Sequence, residues 1–110
     1  MDYTQDKAIE LTKSFLNQVS KRHPIRSAYL FGSYVRGTQK YYSDIDLALI
    51  MPKMSQPERY YEETLDIFHE AQEFNSFLEV ICFREDEFEQ EEETIISQIK
   101  KEGIKIEIPL

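Results

Sequence analysis

The sequence predicts an α/β (α+β) domain of two layers, a small mixed β-sheet with flanking helices. Three observations carry that prediction. Two stretches, about 4–22 and 58–74, repeat apolar residues at three- and four-residue spacing, as helices with one buried face do. Three short apolar stretches, Ile25 to Phe31, Ile45 to Met51 and Phe77 to Phe83, have the length of strands and are bounded on at least one side by a Pro, Gly or Asn-Ser break. A fourth, Ile104 to Ile108, alternates strictly between apolar and charged residues, as a half-buried edge strand does. The 110 residues make one domain, 1–110, large enough for a single packed core.

Taken in order, the first helix runs from about Thr4 to Arg22 and covers the core with Ala8, Leu11, Phe15 and Val19, flanked by Ile9, Thr12 and Leu16. Pro24 stops it, and His23 reads as a solvated helix-end residue, having no companion at metal-ligand spacing. The first strand leads to a Gly- and Ser-rich turn and loop over residues 32–43, and the second strand closes at Pro52. After a loop at 53–57, the second long helix is expected to bury Tyr61, Leu65, Phe68 and Ala71 or Gln72. Alternation in the third strand sets Phe77, Glu79, Ile81 and Phe83 on one face, with Leu78, Val80 and Cys82 on the other. The acidic run Arg84 to Glu93 reads as a solvated loop and the start of a short helix through Ile99, with Gly103 as its left-handed cap.

Composition narrows the partners. The chain is 41% hydrophobic and 31% charged, with no apolar run approaching the roughly 18–20 residues that cross a bilayer. Its start, Met1 to Asp6, has neither the basic nor the apolar segment of a secretory signal. Cys82 is the only cysteine, which excludes an internal disulfide and a cysteine zinc cluster and fits a reducing cytoplasm. The net charge is −8 and the basic residues are dispersed, apart from Lys21-Arg22. Neutralising phosphates needs clustered Lys and Arg, so nucleic acid is not the expected main partner.

Candidate chemistry concentrates in Tyr29-Leu30-Phe31-Gly32-Ser33-Tyr34-Val35-Arg36-Gly37 and its continuation, Ser43-Asp44-Ile45-Asp46-Leu47. Gly32 removes a side chain where backbone must approach a ligand, and Ser33 opens a helix N-terminus of the kind that suits phosphate. Asp44 and Asp46 are two apart in a strand, hence on one face and about 6.6–7 Å apart at Cα. Paired carboxylates opening an apolar strand call for a neutralising cation, and hard oxygen ligands suit Mg²⁺.

Gly32-Ser33, ten intervening residues and then Asp44-Ile45-Asp46 resemble the signature of the DNA polymerase β-like nucleotidyltransferases. The short chain is similar to their minimal nucleotidyltransferase (MNT) branch, which supplies antitoxins of HEPN/MNT toxin–antitoxin pairs. That resemblance implies the polymerase β-like fold, ATP as nucleotide substrate, two Mg²⁺ ions and transfer of AMP to a tyrosine of a HEPN toxin. By position, Asp44 and Asp46 would be metal ligands, while Gly32, Ser33, Arg36 and Ser43 would attend the nucleotide. Arg36 reads equally well as an ordinary surface cation. Tyr34 or Tyr42 could stack on a base.

The family's third acid falls on Glu79, as metal ligand and general base. A carboxylate among Phe77, Leu78, Val80 and Ile81 demands a partner, and a salt bridge at the core edge is the rival account. A binding module that neutralises a toxin without catalysis is the alternative to the enzyme, and transfer to a small hydroxylated molecule is a third reading. Homo-oligomerisation stays open.

Overall fold

The computed structural model describes residues 4–53, 56–90 and 94–109. The elements are α1 (Gln5–Val19), β1 (Ser27–Phe31), α2 (Ser33–Arg36), β2 (Ile45–Met51), α3 (Pro57–Phe74), β3 (Leu78–Arg84), α4 (Glu85–Gln90), α5 (Thr94–Glu102) and β4 (Ile104–Ile106). The strands form one mixed sheet in the order β3-β2-β1-β4. β1 is antiparallel to β2 and β4, whereas β2 and β3 are parallel. A parallel pair needs a crossover, and α3 is that crossover. This is the two-layer architecture the sequence predicts, with β4 at one edge as its alternation implies.

Local chemistry explains the helix ends. Thr4 Oγ1 accepts the Lys7 N–H at 3.1 Å and caps α1. The helix buries Ala8, Thr12, Phe15, Leu16 and Val19. Thr12 enters this apolar face because its hydroxyl donates to the Ile9 carbonyl at 2.8 Å. The expected end at Arg22 comes early: the Arg22 and His23 N–H groups both turn back onto the Val19 carbonyl, at 3.1 and 3.0 Å. His23 is not solvated; its Nδ1 meets the Glu63 carboxylate and ties the end of α1 to α3.

Pro57 starts α3, where its missing N–H costs nothing, and Asn75 ends it by accepting the Phe77 N–H at 2.8 Å. The buried residues of α3 are Ile67 and Ala71, with Tyr60 and Phe74 packed against the core. Of the face expected to be buried, Ala71 is, whereas Tyr61, Leu65 and Phe68 are exposed at 66, 42 and 43%. Both stripes have helical spacing, and only the crossover angle over β3 selects between them.

The main core lies between α1, α3 and one sheet face, formed by Ala28, Leu30, Ile45, Leu47, Leu49, Met51, Leu78 and Val80. A smaller cluster covers part of the opposite face, where Phe88, Ile96 and Ile99 meet Ala48, Ile50 and Phe83. The acidic stretch is therefore not simply a solvated loop: Glu85–Gln90 is a helix that buries Phe88. Its residues 91–93 lie outside the described residues. No helix of the described residues is long and apolar enough to cross a membrane.

Gly103 is not the left-handed cap expected. Among the glycines, positive φ occurs at Gly32 and Gly37. Gly103 instead donates its N–H to the Ile99 carbonyl at 2.8 Å, and a Cβ there would stand 2.4 Å from that oxygen. Gly103→Ala is expected to cost about 1–3 kcal/mol by overpacking. A thermal melt should show a drop of about 4–8 °C per kcal/mol.

Candidate active site

β2 places the central acid. In register, Asp46 lies between Phe31 of β1 and Glu79 of β3. Ile45 and Leu47 point into the main core, so Asp44 and Asp46 belong to the opposite face. The α4–α5 cluster covers that face near Ala48 and Ile50 and leaves the end with the acids open. Asp44 is exposed, Asp46 half-buried and Glu79 exposed. Glu79 is therefore not the buried charge its apolar neighbours suggest, because β3 is an edge strand whose face is uncovered there.

The chain leaving β1 turns at once against Asp46. Gly32 has φ 81° and ψ −151°, a conformation open essentially to glycine alone. A Cβ on Gly32 would sit 2.2 Å from Asp46 Oδ2. Glycine is thus required twice, for its dihedral angles and for the approach of backbone to carboxylate. The Val35 and Arg36 N–H groups return to the Gly32 carbonyl at 3.1 and 3.2 Å, and left-handed Gly37 ends the turn. Tyr34 anchors α2 from below, 1% exposed in the main core, while Gln5 Nε2 donates to its carbonyl at 3.0 Å. Tyr34 cannot stack on a base. Tyr42 can, since it and Tyr41 are exposed on the loop, edge to face at 5.2 Å.

Electrostatics mark the acids as a unit. Burial, then the charges of Glu79 and Asp44, push the Asp46 carboxyl up to about 6, while Arg36 acts in the opposite sense. A hydrogen bond with Asp44 raises Glu79 above the ordinary carboxylate range, with desolvation and the Asp44 charge adding to it. None of the three takes part in a salt bridge among the described residues, so the rival ion-pair account of Glu79 has no partner here. Arg36 Nη1 lies 3.6 Å from Glu102 Oε2 and so shares its charge with α5. Ser43 closes the loop before Asp44: its Oγ accepts the Lys40 N–H at 2.8 Å and its own N–H donates to the Lys40 carbonyl at 3.0 Å.

Unneutralised oxygen donors in mutual repulsion suit a hard divalent cation. As the side chains stand, no trio of acids, histidines or cysteines among the described residues encloses a metal position. Two recesses flank the acids. One, about 300 Å³, is lined by Asp44, Phe68, Gln72, Ser76 and Glu79. The other, about 310 Å³, is lined by Phe31, Asp46, Glu79, Val80, Ile81 and Ile95. Phe68 and Ile81 were not foreseen at the site, because their apolar character reads as core. Cys82 takes no part: burial pushes its thiol up to about 12, in keeping with a packing role.

Comparison with known proteins gives this geometry a context. No curated protein sequence matches the chain. Among solved structures, a candidate nucleotidyltransferase from Sulfolobus solfataricus is similar at a TM-score of 0.56 and 18% identity, over 92% of this chain and 80% of that one. A toxin–antitoxin structure with AMP-PNP is similar at 0.57 and 20%, over 92% and 73%. A mutant toxin–antitoxin MntA-HpeT is similar at 0.50 and 22%, over 97% and 75%. At these identities the likeness is one of fold. A model of the nucleotidyltransferase domain matches residues 12–106, nearly the whole of the chain from α1 to β4. The chain belongs to the nucleotidyltransferase domain family.

Proposed function

We propose that the domain transfers AMP from ATP to a hydroxyl of a partner protein, a HEPN toxin, and thereby acts as its antitoxin. The observation that carries this reading is the contact of the Gly32 backbone with the Asp46 carboxylate, with Glu79 in register on the next strand. It puts a turn suited to phosphate and a set of acids at one end of one sheet. The toxin–antitoxin structure that holds AMP-PNP, an ATP analogue, supports the choice of nucleotide and partner class.

In this reading Gly32 and Ser33 hold the triphosphate tail through backbone N–H and hydroxyl groups, and Arg36 supplies positive charge beside it. The acceptor hydroxyl oxygen bonds the α-phosphorus in line as the bond to the β-phosphate oxygen breaks, and pyrophosphate leaves. Glu79 takes the hydroxyl proton. Mg²⁺ bound by Asp44, Asp46 and Glu79 would supply charge stabilisation for the entering and leaving oxygens.

Incubation with labelled ATP, Mg²⁺ and the product of the neighbouring gene tests the proposal. Label on the partner supports it, whereas a tight complex without label supports the non-catalytic binding module. That second reading draws on the acids as they stand, not gathered around a metal position. Glu79→Gln sharpens the test. It is expected to slow single-turnover transfer by about 10²–10⁴-fold while leaving the melting temperature unchanged, since the side chain is exposed. A stable variant with the wild-type rate would remove Glu79 from the chemistry.

A further inference from the structure

β3 is an edge strand, and its backbone groups alternate between the sheet and the outside. The Ile45 N–H donates to the Phe77 carbonyl at 2.7 Å, so Phe77, Glu79, Ile81 and Phe83 turn toward β2. Leu78, Val80 and Cys82 therefore turn outward. Two α3 side chains occupy this open edge near its ends. Gln72 Nε2 donates to the Leu78 carbonyl at 2.9 Å, and the Tyr60 hydroxyl to the Cys82 carbonyl at 3.2 Å. Between them, the Val80 N–H and carbonyl and the Cys82 N–H make no hydrogen bond among the described residues.

The gap coincides with the exposed apolar stripe of α3. Tyr61, Leu65 and Phe68 join Val80, Ile81 and Cys82 around a groove of about 350 Å³. Val80 and Ile81 belong to opposite faces of the sheet, so the groove follows the strand edge itself. It also leads to the acids at both sides. Phe68 borders the recess of Asp44 and Glu79, while Val80 and Ile81 border the recess of Asp46 and Glu79.

Charge selects the occupant. Glu58 and Glu62 stand three residues before Tyr61 and Leu65, on the same helix face, and Glu79 lies beside the groove. Two copies of a chain of net charge −8 joined along this edge would bring like charges together. A basic segment meets the opposite. Resting on the nucleotidyl-transfer reading above, we propose that the β3 edge takes up an extended, basic segment of the acceptor polypeptide as an added strand and presents its hydroxyl residue to Asp44, Asp46 and Glu79. Main-chain hydrogen bonds would come from Val80 and Cys82, and alternate side chains of the segment would enter the groove.

The probe is a fluorescein-labelled synthetic peptide of alternating Lys and Val around one Tyr. Bound as a strand, it should slow hydrogen exchange at the Val80 and Cys82 amides by more than about tenfold. Methylation of the peptide nitrogens that face the edge should abolish binding. Leu65→Lys, at an exposed position, should weaken binding about tenfold without lowering the melting temperature. Label should pass from ATP to the Tyr. Protection of the two amides without label transfer upholds the docking edge and overturns the transfer reading. Absence of binding, equal binding of the peptide with Glu for Lys, or transfer without protection at Val80 and Cys82 overturns the docking proposal.

Discussion

Replacing Asp44 and Asp46 together with asparagine is expected to abolish nucleotidyl transfer, by at least about 10³-fold, and to leave the domain folded and slightly more stable in metal-free buffer. The loss follows if these carboxylates hold the cation that stabilises charge on the entering and leaving oxygens, an effect worth several kcal/mol. The gain follows from the Asp46 carboxyl, raised from 3.8 to about 6 by burial and by Glu79 and Asp44. A raised carboxyl pKa means that the protonated form favours the fold. Its contribution is fully present below about pH 3.8 and is lost as pH rises through about 6. At neutral pH the ionised Asp46 carboxylate therefore works against folding. Asp46 is half-exposed, so solvent screening reduces the gain on neutralisation to about 1 kcal/mol. Single-turnover transfer and thermal melts on the same preparations measure both effects. Transfer at the wild-type rate by the double variant would end the metal-based reading.

Gly32→Ala is expected to damage both stability and activity. The substituted residue would have to keep φ 81° and ψ −151°, at a cost of about 1–3 kcal/mol. Its Cβ would also meet Asp46 Oδ2 at 2.2 Å, so either the turn or the carboxylate must move. A fall in melting temperature of about 4–8 °C per kcal/mol should accompany a loss of nucleotide binding. A double-mutant cycle separates the two causes. Asp46→Ala removes the oxygen that clashes but not the dihedral strain, so it should recover part of the melting temperature lost by Gly32→Ala. Strict additivity of the two changes would show that the contact contributes nothing.

Much of the architecture was legible in the chain because it rests on local rules. Strand β2 appears at its expected bounds, an apolar run of strand length that Pro52 closes. Capping by Thr4 and termination at Asn75 are side-chain chemistry within a few residues of the helix ends. The order Gly32-Ser33, loop, Asp44-Ile45-Asp46 is likewise written in sequence, and it led to the family that the domain match establishes.

Other features depend on contacts between distant elements. Periodicity on α3 pointed to Tyr61, Leu65, Phe68 and Ala71 or Gln72, whereas the packing of the helix over β3 buries Ile67 and Ala71 with Tyr60 and Phe74 beside them. Phe88 lies in an acidic run, yet it is buried against Tyr29, far away in sequence, as well as against nearby Phe83. Gly103 reads as a cap, but the nearness of the Ile99 carbonyl is what demands it. Alternation gave Glu79 its face, while its exposure comes from the edge position of β3, and its place beside Asp46 from strand register. Sequence determined which residues could serve as turn, acid and strand, because propensity and alternation act locally. The tertiary structure alone decided which stripe is buried, which edge stays open and which carboxylate meets the Gly32 turn, because sheet order and crossover set those distances.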